Sequence, residues 1–179
     1  RGTLFPSDSG GQELVLLNVV SLDFFQVLGV VPAHGRLFGS GDEAALEVQP
    51  AVVLGHAFWR RRFGGDPAVV GQAVRIGSGG FVVTVLGVLP ASFRDLDAAT
   101  DRDIWVPPVT WRQMGNAEDF QDRAFRWFDV VAIRRAGLSV HTADAEVKAV
   151  AAGFAREFAG VSAGRSARVI SDFDYRMES

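Results

Sequence analysis

Cysteine is absent from the 179 residues, and the chain has only three histidines. Without a thiol, the chain cannot form a disulfide, a cysteine-ligated zinc site or a thiolate nucleophile. The histidines, His34, His56 and His141, are separated by spacings that match no metal-binding motif. Basic residues are not in excess either, because the formal net charge is −3 and the pI is near 5.6. This composition does not favour nucleic-acid binding.

Long apolar runs are also missing. The longest, residues 81–91, is interrupted by Thr84 and Gly87, whereas a bilayer-spanning helix needs about 20 apolar residues in succession. What is present is 48% hydrophobic and 22% charged residues, which is typical of a globular protein with one domain or two small lobes. Because the chain begins with Arg1 and not with methionine, we expect it to be a piece of a longer protein.

Short strands alternate with short helices along the chain, which predicts an α+β fold and not a doubly wound parallel sheet. Apolar, partly β-branched runs bounded by turn residues predict strands at 12–20, 51–54, 73–76, 81–89, 104–106, 125–133 and 166–173. The glycine-rich residues 77–80 close a hairpin between two of these strands. Residues 30–42, with a proline and three glycines, predict an extended connector.

Helix starts and stops are indicated by capping residues. Ser21 is expected to cap a first helix, and a second helix is predicted over residues 56–63. Asp66, followed by Pro67, predicts a further helical turn. Residues 110–123 have an irregular helical pattern. The clearest helix begins after Ser139, where apolar residues recur at helical spacing up to Phe158.

Two glycine-containing segments are similar to catalytic or phosphate-binding loops. Asp8-Ser9-Gly10-Gly11 is similar to the peptide around a serine-protease nucleophile, but too few residues precede it to supply the histidine base. We therefore interpret it as a turn that enters a strand. Gly77-Ser78-Gly79-Gly80 joins two strands and has no Gly-Lys-Ser/Thr after it, so a hairpin is favoured over a phosphate cradle.

Charged residues form two further clusters. The arginines at 60–62, next to Trp59, spread over about 200° of a helix, which favours carboxylate pairing or stacking over a polyanion site. A hard cation could be collected by four acidic residues, but their segment lacks the glycine and distal glutamate of a calcium loop; they are Asp95, Asp97, Asp101 and Asp103. We interpret them as a solvated loop, and His34 and His56 as structural. The sequence thus predicts no catalytic, metal or cofactor site.

Two sequence blocks, Gly-Arg-x-Phe at 35–38 and Phe-Trp-x-x-x-Phe-Gly-Gly-Asp-Pro at 58–67, are far more specific than any of these motifs. With the flanking stretches 20–30 and 103–107, they resemble the MacB-like periplasmic core domain of ABC-transporter permeases of the MacB/FtsX type. The resemblance extends from about Leu16 to Phe158. The positions that match the family pattern, with a structural role, are Phe25, Gly29, Gly35, Arg36, Phe38, Phe58, Trp59, Phe63, Gly64, Asp66, Pro67, Gly71, Gly87, Pro90, Phe93, Trp105 and Pro107. Gly55 stands where the family often has serine.

The resemblance implies a two-lobed extracytoplasmic domain of an inner-membrane protein, without catalytic activity or cofactor. A porter-like α/β lobe would comprise residues 1–38 and 123–179, and an inserted, mostly β (Sabre-like) lobe residues 39–122. The implied partners are the transmembrane helices of its own permease, a cytoplasmic ABC ATPase that acts indirectly, a second permease copy, and a periplasmic adaptor or substrate protein. Nucleic acid is not among them.

Two functions follow from this resemblance. In the first, mechanotransmission, the domain couples ATP-driven motion of the transmembrane helices to export or release of a substrate. Gly29 and Gly35 would then permit bends in the connector, and Arg36 would either pin it to the other lobe or lie in a surface turn. In the alternative, the domain captures a peptide, a lipid-linked or a hydrophobic substrate, which predicts an apolar groove open to solvent.

Overall fold

A computed structural model describes residues 2–6, 12–95, 102–116, 129–158, 160, 166–171 and 174. The chain divides into two compact units, the larger made of Arg1–Asp95 and Thr100–Asp119, the smaller of Leu96–Ala99 and Phe120–Ser179. The predicted α+β class is confirmed, since a mixed sheet and short helices alternate along the chain. The lobe boundaries after residues 38 and 122 stay predictions.

The larger unit contains seven strands, which form one sheet. They are β1 (Gly2–Pro6), β2 (Gln12–Val19), β3 (His34–Gly35), β4 (Ala51–Leu54), β5 (Ala73–Ile76), β6 (Phe81–Val88) and β7 (Ile104–Val106). Its helices are α1 (Phe24–Val27), α2 (Glu43–Val48), α3 (His56–Phe63) and α4 (Pro108–Trp111), with a 3₁₀ turn at Pro67–Val69 and a π turn at Arg112–Asn116.

The strand order is β1-β2-β7-β4-β6-β3, and β5 also pairs with β6. β7 is parallel to β2 and antiparallel to β4, whereas β4 and β6 are parallel. The β4–β6 register shifts between Val52 and Val53, where Val52 faces Val85 but Val53 faces Gly87. The shift leaves Leu86 as an extra residue on β6, which is the local pattern of a β-bulge.

β4 lies inside the sheet and is buried along its whole length, as expected for a continuous apolar run with both faces covered. Because side chains alternate along a strand, Ala51 and Val53 face one side and Val52 and Leu54 the other. The first side belongs to a core whose buried members are Val20, Phe25, Phe38, Leu46, Ala51, Val53, Leu89, Trp105 and Val109. On the opposite side, His34 of β3, paired with Val88, contacts Trp59 of α3.

Most predicted elements of the larger unit are confirmed, including β4, α3, the β5–β6 hairpin and β7. The helix expected at Ser21 is a single turn, and the expected cap is wrong. The Ser21 hydroxyl donates to the Asp23 carboxylate at 2.6 Å instead of accepting from a backbone N–H. β1 and α2 were not predicted. Of the irregular helix predicted at 110–123, residues 110–116 belong to α4, which begins two residues earlier, and to the π turn; residues 117–123 lie outside the described residues.

In the smaller unit, helix α5 (Val140–Glu157) begins as predicted, with the Ser139 hydroxyl accepting from the Thr142 N–H at 3.0 Å. Strands expected at 125–133 and 166–173 are wrong wherever the structure describes them, because residues 129–133 and 166–171 have irregular backbone. Residues 125–128, 172 and 173 lie outside the described part. An isolated extended segment is not stable without a paired neighbour, and no strand pairs with these residues in the described chain.

Candidate functional site

The connector, defined from here on as residues 29–38, is bonded to β6 through residues 33–36. The Ala33 N–H donates to the Val88 carbonyl at 2.8 Å, and the Arg36 N–H donates to the Leu86 carbonyl at 3.1 Å. Between them, β3 pairs in antiparallel fashion with Gly87 and Val88. The connector is therefore a part of the sheet.

Two glycines make this crossing possible. Gly35 has a φ of +67°, and a Cβ atom placed on it would lie 2.4 Å from the Leu86 carbonyl oxygen. A Cβ atom on Gly87 would lie 2.3 Å from the Arg36 carbonyl oxygen. These are backbone atoms held by sheet hydrogen bonds, so they cannot move aside as the end of a flexible side chain can. Gly29, at the end of α1, also has a positive φ, +65°, but open space around it.

Arg36 fastens the connector to the residue that precedes α2. The Arg36 Nη1 atom donates to Asp42 Oδ2 at 2.6 Å. The same nitrogen also donates to the Leu37 carbonyl at 3.2 Å. The same Asp42 oxygen accepts from the Gly39 N–H at 2.9 Å. The hydrogen bond from Arg36, reinforced by the Gly39 N–H, lowers the pKa of Asp42 below its usual value against the opposing effect of burial. The arginine is thus paired although half exposed.

Four of the family-pattern aromatic residues come together beneath the connector. The ring of Phe25 lies 6.1 Å from Phe38, 6.0 Å from Phe93 and 6.5 Å from Trp105, measured between centroids. Beside them a shallow groove of about 300 Å³ opens to solvent; it is lined by Phe25, Gln26, Val30, Pro32, Gly35, Arg36, Leu37 and Phe38. The alternative function, capture of a substrate, predicts an apolar groove open to solvent, and this groove in the larger unit is the feature to compare with that prediction.

The corner after α3 gathers a second group of family-pattern residues through local bonds. Gly64 ends the helix in the left-handed conformation, with φ +61°. The indole N–H of Trp59 donates to the Asp66 carbonyl at 2.9 Å, and the Asp66 carboxylate accepts from the Ala68 N–H at 2.8 Å. Pro67 occupies the first position of the 3₁₀ turn, as predicted. The side-chain hydrogen bonds of this corner join residues at most seven positions apart in the sequence.

The packing of α3 explains its remaining pattern residues. Phe58 is buried and meets Phe63 edge to face at 6.1 Å, while Trp59 contacts the rings of His34 and His56 at 5.0 and 5.3 Å. Both histidines therefore lie in ring packing, in agreement with a structural interpretation.

The last three pattern positions stand at turns around the sheet. The Gly71 N–H donates to the Val85 carbonyl at 2.8 Å, and the Pro90 carbonyl accepts from Phe93 at 3.0 Å. Pro107 is buried at the start of α4, where its carbonyl accepts from Trp111 at 3.0 Å. Together with the connector and the α3 corner, these positions hold sheet and helices in place.

An ion-pair cluster at Arg61 agrees with the carboxylate pairing favoured for the arginines at 60–62, but its partners, one in β2 and one directly before β7, were not predicted. Arg61 Nη2 lies 2.9 Å from Asp103 Oδ1 and 3.1 Å from Glu13 Oε1. The bond to Asp103, with that to Glu13, raises the pKa of Arg61. Asp103 Oδ2 also accepts from the Leu16 N–H at 2.8 Å. Charge was the available signal, but these partners are 42 to 87 positions apart, so the spacing could not reveal them.

The interpretation of the four acidic residues as a solvated loop is wrong for Asp103 and Asp95, whose side chains are only 14% and 8% exposed. Asp103 accepts from Arg61 of α3 and from the Leu16 N–H of β2, and Asp95 accepts from the Asn18 side chain at 3.1 Å. Asp97 and Asp101 lie outside the described residues. Within the described ranges no group of three or more histidine or acidic side chains is placed to hold a metal ion. The segment Asp8–Gly11 lies outside the described residues, so its interpretation as a turn stays a prediction.

Glycine is required at position 55, where the family often has serine. A Cβ atom on Gly55 would lie 2.7 Å from the Arg102 carbonyl oxygen.

None of the helices that the structure describes combines the length and apolarity needed to cross a lipid bilayer. The fold is similar to that of a domain from a permease protein. A domain of a putative permease protein from Porphyromonas gingivalis aligns with 95% of this chain and 71% of its own, at 16% identity and a TM-score of 0.51.

The sequence fits the same class. The model of the MacB-like periplasmic core domain matches residues 3–166, so the chain belongs to that family, and the resemblance inferred from the connector and α3 blocks is confirmed. It is a MacB-like periplasmic core domain.

Two further structures are similar over part of the chain. The extracellular domain of the ABC-type transporter YknZ from Gram-positive bacteria has 17% identity and a TM-score of 0.46 over 68% of this chain and 55% of its own. The periplasmic region of MacB from Actinobacillus actinomycetemcomitans has 19% identity and a TM-score of 0.44 over 61% and 44%. The chain thus spans about half the length of these two. A search of curated protein sequences gives no match.

Proposed function

We propose that this domain is a non-catalytic mechanical element, which transmits ATP-driven motion of the transmembrane helices of its permease to the extracytoplasmic side, where a substrate is exported or released. Family membership supports the setting. The partners we propose are those helices, a cytoplasmic ABC ATPase, a second permease copy, and a periplasmic adaptor or substrate protein.

The observation that carries the proposal is the seating of the connector on β6. Motion is transmitted without loss only by a body that does not deform, and a connector that hinged freely would absorb the displacement. Here the connector is held by successive backbone hydrogen bonds and by the close approach at Gly35 and Gly87. The larger unit is therefore expected to move as one rigid body.

The polar groups of the larger unit support the same role. Its best-formed charged clusters, Arg36–Asp42 and Arg61–Asp103–Glu13, connect one element of the fold to another. In each cluster the aspartate carboxylate, that of Asp42 or Asp103, accepts from an arginine and from a backbone N–H. A carboxylate whose oxygens already accept such bonds is less available to take a proton from a substrate.

A spin-label experiment tests the rigid body in the complete permease with its ATPase. Nitroxides at Val48→Cys and Val82→Cys occupy exposed positions of the larger unit, and this chain contributes no cysteine of its own. The distance between the two labels within one domain is expected to stay the same in nucleotide-free and vanadate-trapped states. The distance between Val48→Cys labels in two copies is expected to change. A change within the domain, or none between copies, would contradict the proposal.

A cross-link through the connector is the matched control. His34 and Val88 face each other in the antiparallel pair, where Cα atoms are about 4.5–5.5 Å apart, a separation that a disulfide can bridge. With His34→Cys and Val88→Cys oxidised, the nucleotide-dependent change between copies is expected to persist. Its loss on oxidation, with recovery on reduction, would show that the connector has to open.

A further inference from the structure

The groove beside the connector combines apolar walls with the guanidinium of Arg36, which makes its hydrogen bonds within the fold through Nη1 alone. We propose that it binds a free fatty acid, with the acyl chain against the walls and the carboxylate on Arg36. This site goes beyond the mechanical role and does not depend on it.

The guanidinium of Arg36 is only partly used by the fold. Both of its hydrogen bonds, to Asp42 and to the Leu37 carbonyl, are made by Nη1. In the described part of the chain, Nε and Nη2 have no acceptor. These two nitrogens form one edge of the planar group, and that edge matches the two oxygens of a carboxylate. The Arg36 side chain is 56% exposed, so an incoming anion can reach it.

The walls favour an alkyl chain over a peptide. The accessible apolar walls of the groove are Val30, Pro32 and Leu37, with the buried Phe25 ring behind them, and the polar side chains on it are Gln26 and Arg36. A buried peptide segment would leave amide groups short of partners, at a cost for each group. An alkyl chain has no such requirement and gains from removing apolar surface from water.

Size and charge limit the ligand further. A groove of about 300 Å³ lies at the lower end of the range for ligand sites, which favours a short single chain over a two-chain lipid. Asp42 keeps its carboxylate on Nη1. The ligand therefore adds a second carboxylate to a different edge of Arg36 and does not displace Asp42.

The test uses the 179-residue chain and monomeric decanoate, and binding is followed by amide NMR shifts and titration calorimetry. We expect saturable shifts centred on residues 25–38. Decanol and decyltrimethylammonium, which have the same chain without the anion, are expected to bind about tenfold more weakly. Equal binding of decyltrimethylammonium would overturn the role of Arg36. Binding to vesicles of anionic phospholipid with no binding of free decanoate would overturn the proposal in favour of a membrane surface.

Variants separate recognition from folding. Arg36→Gln is expected to raise the dissociation constant of decanoate about tenfold, a loss of about 1.4 kcal/mol. Asp42→Asn removes the ion pair but leaves the free edge of Arg36, so it is expected to change the affinity less than about twofold. Arg75→Gln, at an exposed arginine of β5, is the charge-matched control. If Asp42→Asn or Arg75→Gln weakens binding as much as Arg36→Gln, the proposal is wrong.

Discussion

Two joints of the larger unit are built in opposite ways. The corner after α3 is closed by residues that are near neighbours in sequence: Gly64 ends the helix, and Asp66 caps the next turn. The crossing of the connector over β6 is closed by Gly35 and Gly87, which are distant in sequence and touch backbone to backbone. The first joint depends on side-chain chemistry and the second on the absence of side chains.

This difference teaches how each joint should respond to substitution. At the corner, another residue with a suitable acceptor can replace the original, because the bond is local and exposed. At the crossing, no residue larger than glycine has room. The two joints therefore differ in the size of the expected effects.

The largest effect is expected at the crossing. Gly87→Ala places a methyl group against the Arg36 carbonyl oxygen, and the free energy of unfolding is expected to fall by about 3 kcal/mol or more. Gly79→Ala, in the β5–β6 turn with open space around it, is the matched control and is expected to change it by less than about 0.5 kcal/mol. Urea unfolding measures both. Equal stabilities would show that the backbone contact is not tight.

A second long-range contact ranks next. Asp103→Ala removes the acceptor of the Leu16 N–H and of Arg61, and the free energy of unfolding should fall by about 2 kcal/mol. Glu13→Ala removes only the other acceptor of Arg61, at a more exposed position, and is expected to cost less than about 0.5 kcal/mol. Thermal and urea unfolding compare the pair. A larger loss for Glu13→Ala would reverse this assignment.

The local corner should respond less. Asp66→Ala removes the side chain that accepts from the Ala68 N–H, with an expected loss of about 1 kcal/mol. Asp66→Asn keeps an acceptor and should recover most of that stability. If the two variants are equally unstable in urea, the cap is not the reason for the aspartate.

The smallest effect is expected at the ion pair between Arg36 and Asp42, which holds the connector, and this effect depends on pH. The pKa of Asp42 lies below its ordinary value of 3.8 in the folded chain. Its contribution to stability is thus present above that value and is lost as the pH falls through the folded pKa. Because Arg36 is half exposed, Asp42→Asn should cost less than about 1 kcal/mol at neutral pH. Unfolding curves of the two proteins should converge as the pH falls below the folded pKa of Asp42. A difference that persists there would contradict the ion pair.

Local patterns predicted the elements that local forces define. β4, α3, the 3₁₀ turn and the start of α5 could each be read from apolar period and capping residues. The wrong predictions concern strands, which form only when a distant segment pairs with them. Residues 129–133 have an apolar, partly β-branched sequence, yet they remain irregular in the absence of a paired strand among the described residues. β1 was missed for the converse reason, since its pairing with β2 defines it.

The candidate site shows the same division. The family blocks drew attention to Gly35, Arg36 and Gly87, but nothing in the spacing linked them. The partner of Arg36, Asp42, and the groove beside the connector emerged only from the packed structure.

The sequence by itself determined the α+β class, the family and the caps at Asp66 and Ser139, because these depend on residue identity and on neighbours within a turn or two. The tertiary structure decided which strand lies beside which, that the connector is part of the sheet, and which edge of Arg36 is left free. Such features depend on contacts between residues far apart in the chain, and a linear pattern carries no record of which distant groups the fold brings together.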